Sequence, residues 1–452
     1  MSERTEAILS QMTLEEKVAM LAGADFWHTV PNERLNIPAM KVTDGPNGVR
    51  GGLFGMGPSA ACLPVGIAIG ATWNPELVER LGGLLADECV DKGASVLLAP
   101  TINTHRSTLN GRNFECYSED PWLSSRLTVA YITGVQAKGI ATCPKHFVAN
   151  DSEFERYTMN SIVDERALRE IYLPAFKAAV TEASAWSIMS GYNKVNGTWC
   201  SENEYLLKDV LKGEWGFDGV VISDWFGTYS EQIGVGGLDL EMPGPSRWGQ
   251  SILAEVQEGR LDGSEVDDKI RRLLTLLERT GKFENPDIPA EVANDRPEHR
   301  AILNQAATEA IVLLKNENNV LPLKPEDVPN VAIIGGNARW PGLMGGGSAF
   351  VPSHYTITPL DGIRTNYGDQ FELQYEIGAT NHRMLPVIDL SAVHASSGEN
   401  GFEISYFDGP NLEGEPVVVE HTDRMTIRYV SFVHPALKDQ ESYSIRAVGT
   451  FT

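Results

Sequence analysis

From about residue 40 to residue 245 the chain alternates short apolar runs with longer amphipathic stretches. The runs are Met40 to Val42, Val65 to Ile69, Ala94 to Ala99, Ile140 to Cys143, Trp186 to Met189, Val220 to Ile222 and Leu238 to Leu240. Between them, Pro75 to Asp91 and Glu165 to Ala183 have helical character. Upstream, Thr13-Leu14-Glu15-Glu16 has capping-box spacing, with Leu14, Val18 and Leu21 marking one apolar face. Strand, helix, strand repeated over roughly 250 residues predicts an α/β class with a TIM-like (β/α)8 barrel. Almost every run ends in polar, reactive residues: Thr43-Asp44, Lys145-His146, Tyr192-Asn193, Ser223-Asp224-Trp225 and Glu241. In a parallel barrel those ends form one face, so these groups should converge on one pocket.

The texture changes after residue 250. Ser264 to Thr280 reads as a charged helix, and Asn285 to Pro297, with its prolines, as a linker. Ala301 to Leu314 reads as a helix and Val331 to Ile334 as a short buried strand. Gly345-Gly346-Gly347-Ser348 reads as a solvent loop, because no Lys-Ser/Thr or GxGxxG accompanies it. From about Leu390 strand-like segments follow one another: Phe402 to Phe407, Val417 to Val419 and Thr426 to Phe432. The expected organisation is a barrel over 1–285, a linker over 286–300, the first part of an α/β sandwich domain over 301–388, and the start of a β-sandwich module over 389–452.

Composition narrows the function. The 452 residues carry 37 Lys and Arg against 61 Asp and Glu, a formal charge of −24. Such a chain repels phosphate backbones and anionic membranes, so neither nucleic acid nor membrane is an expected partner. Five scattered cysteines, with no Cys-x-x-Cys, argue against a zinc ribbon or a disulfide framework. His28, His105, His299 and His354 lack metal-ligand spacing, so neither metal nor cofactor is expected. No apolar run approaches the length of about 18 residues that a membrane span needs. The opening Met1-Ser2-Glu3 has no apolar h-region, which predicts a cytoplasmic location unless a leader was removed.

The candidate chemistry sits at the strand ends. Asp224 beside Trp225 is placed to meet a sugar ring, since indoles stack on sugar CH faces and carboxylates attack anomeric carbons. Capping of a following helix is the equal alternative. Lys145-His146 could bind hydroxyls and tune a carboxylate. Lys145 could also form a Schiff base, or the pair could be structural, buried against Asp151 or Glu155. Asp44 and Arg112 lie in turn-rich loops whose glycines and proline aim them at a pocket or leave them as rim ion pairs. Trp73, Trp186, Trp199 and Trp248 read mostly as core.

Together these segments closely resemble glycoside hydrolase family 3, the β-glucosidases and relatives. The matching strings are Val42 to Arg50, Gly111 to Glu115 with Ser118 to Pro121, Lys145-His146-Phe147, Met189 to Asn193, Ser223-Asp224-Trp225, Asp239 to Gly244 and Val312 to Asn316. The tail from about Leu390 resembles the protective-antigen-like module that some members carry. The resemblance implies a retaining, exo-acting β-glucosidase with Asp224 as nucleophile. Asp44, Arg112, Lys145, His146, Arg156 and Tyr192 would hold the nonreducing-end sugar, and Trp225 would wall the pocket. The string Val148-Ala149-Asn150-Asp151 after Phe147 departs from the β-N-acetylglucosaminidase pattern, which favours the glucosidase branch. In that branch the acid/base glutamate lies downstream of the module, so it is expected beyond residue 452. The implied partner is a small β-glucoside or oligosaccharide, and a homo-oligomer is compatible with the module. The competing readings are a non-catalytic glycan binder of the same fold, another specificity such as β-xylosidase, and an aldolase using Lys145.

Overall fold

The computed structural model describes residues 2–52, 57–230, 234–244, 248–379, 388, 390–423, 433–439 and 442–451. The chain divides into two compact units. One comprises Met1–Pro329 with Trp340–Glu372, the other Asn330–Arg339 with Leu373–Thr452.

The first unit is α/β. Val42–Asp44, Val96–Leu98 and Ala141–Thr142 pair in parallel, as do Ser187–Met189 and Val220–Ile222. These strands are apolar and buried on both faces, the condition under which parallel strands are stable. Single parallel bridges carry the neighbour order onward. Phe147 meets Ser190, Ile222 meets Leu240, and Ala22 meets Glu241. Asp44, Lys145, Asp224 and Glu241 therefore all stand at or just beyond the carboxyl ends of parallel segments.

Helices pack around these strands where the local chemistry asks for them. Thr13 and Glu16 close the reciprocal capping box. Pro75–Asp91 begins with Pro at its first position and with the Asn74 side chain accepting from the Leu77 amide at 3.1 Å. Gly263–Arg279 buries Val266, Ile270, Leu273, Leu274 and Leu277 along one stripe. Among the described residues no helix is long and apolar enough to cross a membrane.

Several expectations change. Val65 to Ile69 is not a strand: Gly66–Ala71 is a helix. A Cβ at Gly66 would sit 2.0 Å from the Glu115 carbonyl oxygen, so this helix packs by direct backbone approach. Leu238 to Leu240 forms only a bridge rather than a strand of its own. The helix expected over Glu165 to Ala183 is interrupted: a π-turn spans Leu168–Tyr172, and Pro174–Thr181 starts afresh at its proline. Trp73, expected in the core, is exposed. The helix expected over Ala301 to Leu314 is Pro297–Glu309, and Ile311 to Leu314 lie outside any helix or strand and are exposed.

In the second unit Asn330–Ile334 pairs with the strand Glu372–Glu376, which enters that unit at Leu373. The first of these is not buried as expected; its residues alternate between exposed and half-buried. Phe402–Asp408 lies antiparallel between Val418–Thr422 and Tyr443–Val448, around a small core of Ile404, Tyr406 and Leu437. The strand expected over Thr426 to Phe432 lies outside the described residues.

Candidate active site

Asp44 ends its strand where the chain must turn sharply. Gly45 takes φ +146°, and a Cβ there would lie 2.0 Å from the Gly48 carbonyl oxygen. The Asp44 carboxylate accepts from the Gly45 amide at 3.1 Å and from Lys145 Nζ at 2.7 Å, both partners buried. The Lys145-His146 pair is thus buried, but not against Asp151 or Glu155: its lysine meets Asp44, 101 positions earlier.

His146 is oriented by Asn103. The Asn103 Oδ1 accepts from the His146 amide at 2.8 Å and lies 3.3 Å from its Nδ1, while Asn103 Nδ2 donates back to the His146 carbonyl at 3.0 Å. On the other edge of the ring Arg112 NH1 comes within 3.1 Å of Nε2. A guanidinium can only donate, so Nε2 accepts and Nδ1 carries the proton. Burial first, then the charges of Arg112, Lys145 and Arg156, hold His146 well below its ordinary pKa, so it is neutral. Its 3.4 Å contact with Asp224 Oδ2 is accordingly not an ion pair.

Arg112 is locked by Glu115, which accepts from Nε and NH2 at 2.9 Å each in a bidentate pair. Burial opposes its charge, but Glu115, Glu153 and Asp224 outweigh it and raise its pKa well above the ordinary value. NH2 also donates to Ser348 Oγ at 3.3 Å. The segment Gly345 to Ser348, expected to be a solvent loop, therefore rests on the site: Gly345 approaches Phe114 so closely that a Cβ would overlap the ring.

Asp224 closes the group. Its Oδ1 accepts from the Trp225 amide at 2.7 Å, and no helix follows for it to cap. Oδ2 is buried and accepts no hydrogen bond among the described residues. Burial raises its pKa, with Arg112 and Lys145 pulling the other way. The Trp225 indole donates to the Phe26 carbonyl at 3.1 Å and packs against Trp27, centroids 5.4 Å apart. Tyr192 donates to the Trp225 carbonyl at 2.9 Å, and Arg156 stands over the Tyr192 ring at 4.5 Å.

All eight residues singled out in the sequence (Asp44, Arg112, Lys145, His146, Arg156, Tyr192, Asp224 and Trp225) join this connected group. Glu115, Asn103, Ser348 and Phe26 join it without having been singled out. Glu115 had a readable signal, three positions from Arg112 on the same short turn; the others had none. Among the described residues no cluster of three or more His, Cys, Asp and Glu side chains could hold a metal ion. A neutral polar ligand with several hydroxyls suits such an array of fixed donors around one free carboxylate oxygen.

Residues 8–276 match the glycosyl hydrolase family 3 N terminal domain, and residues 311–440 match its C-terminal domain. The chain belongs to glycosyl hydrolase family 3. A family member from Rhizobium radiobacter described as a beta-glucosidase is 52% identical over 449 residues, covering 98% of this chain and 53% of that protein. Beta-glucosidase B of Emericella nidulans is 45% identical over 91% of this chain and 49% of its own. The crystal structure of a Kluyveromyces marxianus beta-glucosidase in complex with glucose superposes with a TM-score of 0.82 at 39% identity, over 94% of this chain and 52% of that one. The chain thus spans about half the length of the family 3 relatives it matches.

Proposed function

We propose that this chain carries the sugar-binding and nucleophilic part of a retaining, exo-acting β-glucosidase that releases the nonreducing-end glucose from short β-glucosides. The observation that carries the reading is Asp224 Oδ2: buried, without a hydrogen-bond donor among the described residues, and near Arg112, Lys145 and neutral His146. In the first step Oδ2 bonds to the anomeric carbon as the carbon–oxygen bond to the aglycone breaks, its electron pair leaving with the aglycone oxygen. In the second, water attacks the same carbon and releases the Asp224 carboxylate.

Lys145, Arg112 and Arg156 donate to sugar hydroxyls, and donors fixed in a dry site need no reorganisation as positive charge develops on the ring. Trp225 supplies the apolar wall for a sugar CH face. In this reading the acid that protonates the departing oxygen is a carboxyl from a part of the protein beyond residue 452. The same reading takes the parallel segments as a (β/α)8 barrel and the antiparallel sheet of the second unit as part of a protective-antigen-like module.

The test is intact mass of the complete protein after incubation with 2,4-dinitrophenyl 2-deoxy-2-fluoro-β-glucoside, whose leaving group needs no acid. One covalent adduct on the Asp224 peptide, absent in Asp224→Ala, is expected. A folded protein that gains no adduct, or gains it on another residue, overturns the reading.

A further inference from the structure

Just beyond Asp224 the chain brings a second tyrosine toward the pocket. The Gly227 amide donates back to the Asp224 carbonyl at 2.9 Å. A side chain at Gly227 would come within 3.3 Å of Tyr192 Cδ1, so this turn runs directly along the Tyr192 ring. Two residues later Tyr229 stacks on Trp199, ring centroids 4.9 Å apart and planes 27° from parallel. Trp199 is itself fixed: its indole donates to the Tyr157 carbonyl at 3.3 Å, and Lys194 Nζ sits 3.9 Å over its ring. Tyr157 in turn packs edge-on against Tyr192 at 4.8 Å. Tyr229 is thus held on the Tyr192 side of the nucleophile by a chain of ring contacts.

The ring is well supported, but its hydroxyl is not. The Tyr229 oxygen is buried and has no hydrogen-bond partner among the described residues. Leaving a buried hydroxyl unpaired is costly, and phenylalanine would make the same stack without that cost. We propose that the Tyr229 hydroxyl donates a hydrogen bond to a hydroxyl of the sugar bound beside Asp224, making it a specificity-determining contact of the pocket. Burial, and then the Asp224 carboxylate, push the Tyr229 phenol above its ordinary value, so it keeps its proton and donates at neutral pH. This inference rests on the β-glucoside reading of the pocket.

The experiment measures binding of glucose and its 2-, 3-, 4- and 6-deoxy forms by calorimetry in the complete protein, Tyr229→Phe and a control. Tyr131→Phe serves as the control: Tyr131 carries another buried hydroxyl without a partner among the described residues, on the helix Pro121–Gln136 in the core. Tyr229→Phe should bind glucose about 3- to 10-fold more weakly, with a thermal midpoint unchanged or raised. One deoxy sugar, lacking the partner hydroxyl, should bind both proteins equally. Tyr131→Phe should bind glucose as the wild type does. Equal glucose binding by Tyr229→Phe and wild type overturns the inference, as does an equal loss on every deoxy sugar or a wild type that binds none of them. Hydrolysis of an aryl β-glucoside is followed in parallel. Sugar binding that responds to Tyr229 without turnover defeats the glucosidase reading and leaves the contact standing.

Discussion

Two apolar runs of this chain look interchangeable on paper and end in opposite places. Ser187–Met189 and Val220–Ile222 form a parallel pair in which every residue is buried, Ile188 and Val221 completely. Ile311 to Leu314 is as apolar, yet Ile311 is 80% and Leu314 92% exposed. The first pair belongs to the main hydrophobic core of its unit; the second has no strand partner among the described residues. Apolar composition expresses what a segment gains by leaving water. Whether it leaves depends on a surface to receive it. Polar residues show the converse: Lys145, His146 and Asp224 are buried, each with a hydrogen-bonding partner that keeps at least one of its polar atoms satisfied.

The largest effect should come from breaking such a buried arrangement. Lys145→Met leaves Asp44 buried without its cation and should cost about 3–5 kcal/mol in urea unfolding; a loss below about 1 kcal/mol would mean that water already screens the pair. Ile188→Ala should cost about 2–5 kcal/mol, since the parallel pair cannot collapse around the cavity.

Next comes a pH effect. Burial holds Lys269 down to about 8 from 10.5, with Nζ donating to the Leu238 carbonyl at 2.6 Å. Between those values the unfolded chain binds a proton that the folded chain has released, so stability rises with pH. The penalty is full below about pH 8 and relieved toward 10.5. Relative to Lys269→Met, the wild type should gain up to about 3 kcal/mol across that window; parallel stability curves for the two proteins would reject it.

For the proposed reaction, the raised pKa of Asp224 shifts the acid limb of kcat/KM upward from that of an ordinary aspartate, with rate lost as pH falls through it. Neutral His146 should contribute no limb, so His146→Gln should leave the shape of the profile unchanged. The smallest effect belongs to the exposed run: Leu314→Ala should change stability by no more than about 0.5 kcal/mol. A larger loss there than at Ile188 would erase the contrast between the two regions.

Legibility followed the range of the interaction. The Thr13–Glu16 box and the helix Pro75–Asp91 depend on neighbours within four residues, and both are where the sequence puts them. The run Val65 to Ile69 misled because a glycine-bearing helix and a strand share its composition; the close approach of Gly66 to the Glu115 backbone, 49 positions away, has no local signal. In the site, residue types at strand ends pointed to Asp44, Lys145, His146, Tyr192, Asp224 and Trp225; Arg112 came from a turn-rich loop and Arg156 from the family resemblance alone. Their pairing was invisible: Lys145 reads as well against Asp151 as against Asp44. The approach of Gly345 to Ser348 and the idle hydroxyl of Tyr229 had no local signal.

By itself, then, the sequence determined the alternation of buried runs and amphipathic helices, the caps and sharp turns, and the residue types collected at strand ends, because these depend on local sterics and short-range hydrogen bonds. Only the tertiary structure decided which lysine neutralises which aspartate, which tautomer His146 adopts, and which oxygen of Asp224 stays free. Each of those depends on burial and on charges brought together from segments tens to hundreds of residues apart, and the energy of a buried charge is set by what surrounds it.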